Sequence, residues 1–65
     1  MTATDFRTWQ THMGWHKSEA SRQLGITRAT IYRYRASGAP LHIGLATAAL
    51  ADGLTPWTRK LLRRA

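Results

Sequence analysis

The sequence predicts an all-α fold of five short helices, and three observations carry that prediction. Apolar residues recur three and four positions apart in short windows, the period of one helix face. Glycines at 14, 25, 38 and 53 close those windows, where helices commonly stop. No alternating apolar run, Asn-Gly turn or internal repeat points to a strand or hairpin. A chain of 65 residues has room for one small core, so residues 1–65 are read as a single domain. With no cysteine, neither disulfides nor thiolate metal sites can hold it together, which leaves packing and suits a reducing compartment.

The first helix is expected over about 5–13, with Phe6, Trp9 and Met13 on one face, Thr4 as N-cap and Asp5 in the first turn. Gly14 ends it, and Trp15 drops toward the core as the chain reverses. The second spans 17–24, where Ala20 and Leu24 share a face. Gly25 follows at once as a helix stop, Ile26 plugs the corner, and Thr27 caps a third helix over 28–36. There Ile31 and Tyr34 point inward, while Arg28, Ala29, Tyr32, Arg33 and Ala36 point out. Ser37-Gly38-Ala39-Pro40 is a turn. The fourth helix, 41–51, is nearly free of charge and rich in Ala, Leu and Ile, which predicts that it is mostly buried. Thr55-Pro56 then reads as a cap with proline at the first helical position, opening a fifth helix over 56–64.

Ten Lys and Arg against three Asp and Glu give a formal charge of +7, and the pI is near 11.6. Such a balance favours a polyanionic partner, although small ribosomal, architectural and membrane-active proteins share it. No apolar run is long enough to span a membrane, and Met1 to Asp5 lacks the zones of a signal peptide, so the expected location is the cytoplasm, on the nucleoid when bound. Trp9 and Trp15 sit at core positions rather than as stacking platforms; Trp57 heads the fifth segment and is open to either reading. His12 and His16 are four apart, but Gly14 breaks the helix between them and no third ligand is in view, so no metal is expected. Asp5, Glu19 and Asp52 are mutually distant, and no Ser stands beside a plausible base. Neither catalysis, a cofactor nor a small-molecule ligand is expected.

Two short helices joined by a tight glycine turn, the second presenting polar side chains outward, form the helix-turn-helix arrangement. Ala20, Leu24, Gly25, Ile26, Ile31 and Tyr34 fall where that motif requires small or apolar residues. At these residues the sequence resembles the phage Cro and C1 repressor family, whose domain is of the lambda-repressor-like type. Met13-Gly14-Trp15 is similar to the Leu-Gly-Leu that precedes the family's second helix, and the order of five helices agrees. The resemblance implies base reading by Thr27, Arg28, Ala29, Tyr32 and Arg33, and a phosphate contact from Lys17 at the start of the second helix. The loop 37–40 carries no charge, so further phosphate contacts are sought at Ser18, Arg22 and His42. Where the family pairs an Arg with a Glu, this chain has Gln10 and Arg35, and the Gln carbonyl could accept from the guanidinium. His16 stands where a capping Ser or Asn is usual.

Residue chemistry independently suits the task. The guanidinium of Arg28 or Arg33 offers a planar fork that matches the O6 and N7 acceptors of guanine. Ala29 allows close approach and can meet a thymine methyl, and Tyr32 can reach a base edge or a phosphate. The basic tail brings Leu54, Trp57 and Leu61 to one face, and by the resemblance these supply a homodimer contact. The expected function is therefore sequence-specific binding of double-stranded DNA by a dimeric repressor of phage or mobile-element type, on a short inverted repeat. Two alternatives use the same surface: a DNA-bending, excision-type accessory factor, and a protein-interaction module that meets an acidic partner.

Overall fold

A computed structural model describes residues 1–59 of the chain. Four helices follow one another: α1 Ala3–Met13, α2 Lys17–Leu24, α3 Arg28–Ser37 and α4 Leu41–Ala51. Among the described residues there is no strand. α1 and α2 each pack against both α3 and α4.

α1 begins two residues earlier than its apolar spacing suggests. Its N-cap is Thr2, not Thr4: the Thr2 hydroxyl accepts from the Asp5 backbone N–H at 3.0 Å, and the Asp5 carboxylate accepts from the Thr2 N–H at 3.2 Å. This reciprocal box satisfies two N–H groups that the first turn would otherwise leave open. The two added residues also bring Met1 back to the α3–α4 turn, where its backbone exchanges hydrogen bonds with Ala39, N to O at 3.2 Å and O from N at 2.8 Å. That closeness explains Gly38, which has φ 91° and whose missing Cβ would lie 2.7 Å from the Met1 carbonyl oxygen.

The turn between α2 and α3 is made as the sequence predicts. Gly25 takes the left-handed conformation, φ 69° and ψ 33°, and Ile26 N–H returns to the Ser21 carbonyl at 3.0 Å. The Gly25 N–H closes on the same Ser21 carbonyl, while Ile26 packs against the core. Thr27 then caps α3, its hydroxyl accepting from the Thr30 N–H at 3.2 Å. His16 occupies the N-cap of α2 without a side-chain hydrogen bond to it.

The core is Phe6, Trp9, Ala20, Ile31 and Ile43, ringed by partly buried Met13, Trp15, Leu24, Tyr34 and Leu50 among others. Trp9 and Trp15 meet edge to face at 5.8 Å, Phe6 and Tyr34 likewise at 5.6 Å, and the Trp9 indole N–H donates to the Thr47 carbonyl at 3.0 Å. Edge-to-face contact and a satisfied indole let these large rings fill the centre of a small domain.

Two expectations are corrected. α4 is not mostly buried: Ile43 and Thr47 are, but Leu41 and Leu45 stay 77% and 64% exposed. One face of one helix suffices to close a core this small. Nor do the described residues form a fifth helix, because residues 54–58 are not helical and all are exposed. Pro56 disfavours helix at Thr55, and a short segment with no buried face cannot offset the cost of helix nucleation. Residues 60–64 of the expected fifth helix, Leu61 included, lie outside the described residues.

Candidate nucleic-acid interface

α3 is held from below and offered from above. Ile31 is fully buried, Ala20 of α2 is fully buried beneath the turn, and Tyr34 is tucked against Phe6. On the opposite side Thr27, Arg28, Ala29, Tyr32 and Arg33 are all exposed. The helix period separates the two sets, because residues 28, 29, 32 and 33 share one side of a helix while 31 and 34 share the other. Thr27 has a second duty here, since its hydroxyl is engaged by Thr30 as a cap.

Lys17 and Tyr32, fifteen residues apart, meet between α2 and α3. The Lys17 ammonium donates to the Tyr32 hydroxyl and lies 4.2 Å from the ring centroid. That ammonium, with smaller contributions from Arg28 and Arg35, holds the phenol below its ordinary pKa of 10.0. A phosphate contact and a base reader expected separately thus form one unit. Ser18 is exposed in the first turn of α2, and His42 is exposed on α4. Arg22 donates to both carboxylate oxygens of Glu19 at 2.7 Å, and Gln23 adds a bond at 3.0 Å. Arg22, then Gln23, keeps the Glu19 carboxyl below the ordinary glutamate value.

Arg35 has found the partner the sequence suggested. Its Nη1 donates to the Gln10 carbonyl at 2.7 Å, while the Gln10 amide donates to the Trp15 carbonyl at 3.1 Å. Gln10 is only 8% exposed and so ties α1, the α1–α2 turn and α3 together. Sequence reasoning missed Arg7, whose guanidinium donates to the Arg35 carbonyl at 2.6 Å and to the Thr4 hydroxyl at 3.2 Å. A cation on the last carbonyls of α3 complements the helix dipole, but its residue stands 28 positions away, and no local pattern announces it.

Leu54 and Trp57 are exposed, at 54% and 67%, and Trp57 is not part of the core. Among the described residues no group of three His, Asp or Glu could hold a metal ion, and no helix is long and apolar enough to cross a membrane.

Residues 11–35 match the family model of bacterial regulatory proteins of the Fis family, a helix-turn-helix family. The matched span takes in the end of α1, all of α2, the glycine turn and all but the end of α3. The segment is a helix-turn-helix. Its likeness to that family supports a DNA-binding regulator of transcription. The matching family is not that of the Cro and C1 repressors. No curated protein and no solved structure matches the chain.

Proposed function

We propose that this protein regulates transcription by binding double-stranded DNA sequence-selectively, with the outward side of α3 in the major groove. The observation that carries the reading is the exposed set Arg28, Ala29, Tyr32 and Arg33 above a buried Ile31, on the second helix of a helix-turn-helix. In this reading Arg28 and Arg33 address base edges, Ala29 permits close approach, and Thr27 and Tyr32 flank them. Lys17, Ser18, Arg22 and His42 meet phosphates; Arg22 must exchange Glu19 for the backbone to do so. Phosphate contacts supply affinity and register, and base contacts supply the choice of sequence.

One such unit reads few base pairs. We therefore propose a homodimer on a short inverted repeat, with recognition helices about 34 Å apart, one DNA turn. Leu54, Trp57 and Leu61 are proposed to contribute to that contact. A dimer lodged on a promoter would repress by excluding polymerase, with its concentration as the switch.

Selection from a randomised duplex pool tests the reading. A short enriched palindrome is the expected result. Bent but unselected DNA would replace it with an accessory, architectural role, and no shift at moderate salt would replace it with binding of the Arg and Tyr face to an acidic protein.

A further inference from the structure

α4 is apolar on every side, yet the fold uses only one. Ile43 and Thr47 are buried and Leu50 packs on the core, while Leu41, Leu45 and Ala48 recur at i, i+4 and i+7 on the other side and stay exposed. Beside them runs a concave strip lined by Leu45, Ala48, Ala49, Ala51, Asp52 and Leu54. Nothing among the described residues covers this row. Clustered exposed leucines on a small soluble fold mark a docking surface.

The distribution of charge indicates what docks there. All ten Lys and Arg lie at positions 7 to 35 or 59 to 64, so none falls between Ala36 and Thr58. A nucleic acid or an acidic protein would be drawn to the cationic faces of α2 and α3 instead. A second copy carries the same charge of +7 and is repelled from those faces, but not from α4. The geometry points to a second copy of this chain docking on the α4 row through a two-fold contact. An antiparallel pairing of such a row sets Leu45 of each copy against Ala48 of the other, large against small, with Leu41 toward each end. This inference rests on the dimeric part of the proposed function and moves the centre of the contact from the tail to α4.

Sedimentation velocity of the full chain over a concentration series, free and on its selected duplex, tests it with three proteins: the parent, Leu45→Glu and Leu61→Glu. The parent dimerises, and Leu45→Glu weakens self-association about tenfold or more. At concentrations where the parent too is monomeric, the variant melts as the parent does by circular dichroism, because Leu45 is exposed. The chain has no cysteine, so Leu45→Cys reports directly: a short bis-maleimide links it into dimers, while Thr8→Cys on the exposed side of α1 stays monomeric. If only Leu61→Glu separates the copies, the α4 contact is overturned and the dimer stands. A parent that is monomeric at every concentration, free and on DNA, overturns both and assigns the row to a different protein. Base selection is read independently of all three results.

Discussion

At the scale of single residues, the side chains expected to read DNA and those expected to hold it are not independent. Arg28→Ala and Arg33→Ala should each cost about 1–3 kcal/mol on the selected sequence and relax preference at separate base positions. Lys17→Ala should weaken all sequences and reduce the salt slope by about one. Because the Lys17 ammonium sits on the Tyr32 hydroxyl, Lys17→Ala and Tyr32→Phe should not add. A double-mutant cycle on binding is expected to give a coupling of about 0.5–3 kcal/mol; strict additivity would mean that the pair parts before DNA is met. Gln10 is a different case, since both ends of its amide are satisfied in a nearly buried position. Gln10→Ala leaves the Arg35 guanidinium and the Trp15 carbonyl without partners and should cost about 1–3 kcal/mol in urea unfolding.

At the scale of elements, the start of α1 decides more than its own helix. The Thr2–Asp5 box fixes where the chain enters α1 and hence where Met1 meets Ala39. Thr2→Ala should cost about 1 kcal/mol. The same box gives a pH dependence. The Asp5 carboxyl is held below its ordinary 3.8 by the Thr2 backbone N–H and then the Thr2 hydroxyl, and Glu19 is held below its ordinary 4.5 by Arg22 and then Gln23. In the acid range the unfolded chain therefore binds more protons than the native one, so stability rises with pH. The contribution is complete above those ordinary values and is lost as pH falls through the lower native ones. The melting temperature should hold level from neutral pH down to about 5 and drop below about 4, with a shallower drop in Asp5→Ala.

For the whole molecule, a core with five buried apolar residues among those described leaves little in reserve. At the usual stability per residue a chain of this length has roughly 3–10 kcal/mol in hand. Ile31→Ala empties a fully buried site beneath the recognition helix and should cost about 2–5 kcal/mol. Thermal melts should then show a largely unfolded protein, with DNA binding lost alongside. Arg33→Ala, on the exposed side of the same helix, should melt as the parent does while losing base preference. That contrast separates the role of α3 in the fold from its proposed role on DNA.

Local chemistry determined much of this protein. The three-and-four spacing of Phe6, Trp9 and Met13, the glycine at 25 followed by Ile26, and Thr27 before a helix each act within a few residues, and each was readable along the chain. So was the division of α3 into an inner and an outer side, which follows from the helix period alone. The tertiary structure decided what depends on distance or competition. Thr2 prevailed over Thr4 as cap because it also lets Met1 reach the α3–α4 turn. α4 had no readable inner side because it is apolar all round, and only packing against α1 and α2 could choose one. The segment after Leu54 had a plausible start signal but leaves every described residue exposed, and residues 54–58 form no helix. Lys17 on Tyr32 and Arg7 on the Arg35 carbonyl join residues far apart in sequence, through a fold that brings α2 and α1 onto α3. Periodicity reports which way a side chain faces, and only the packed chain reports what it finds there.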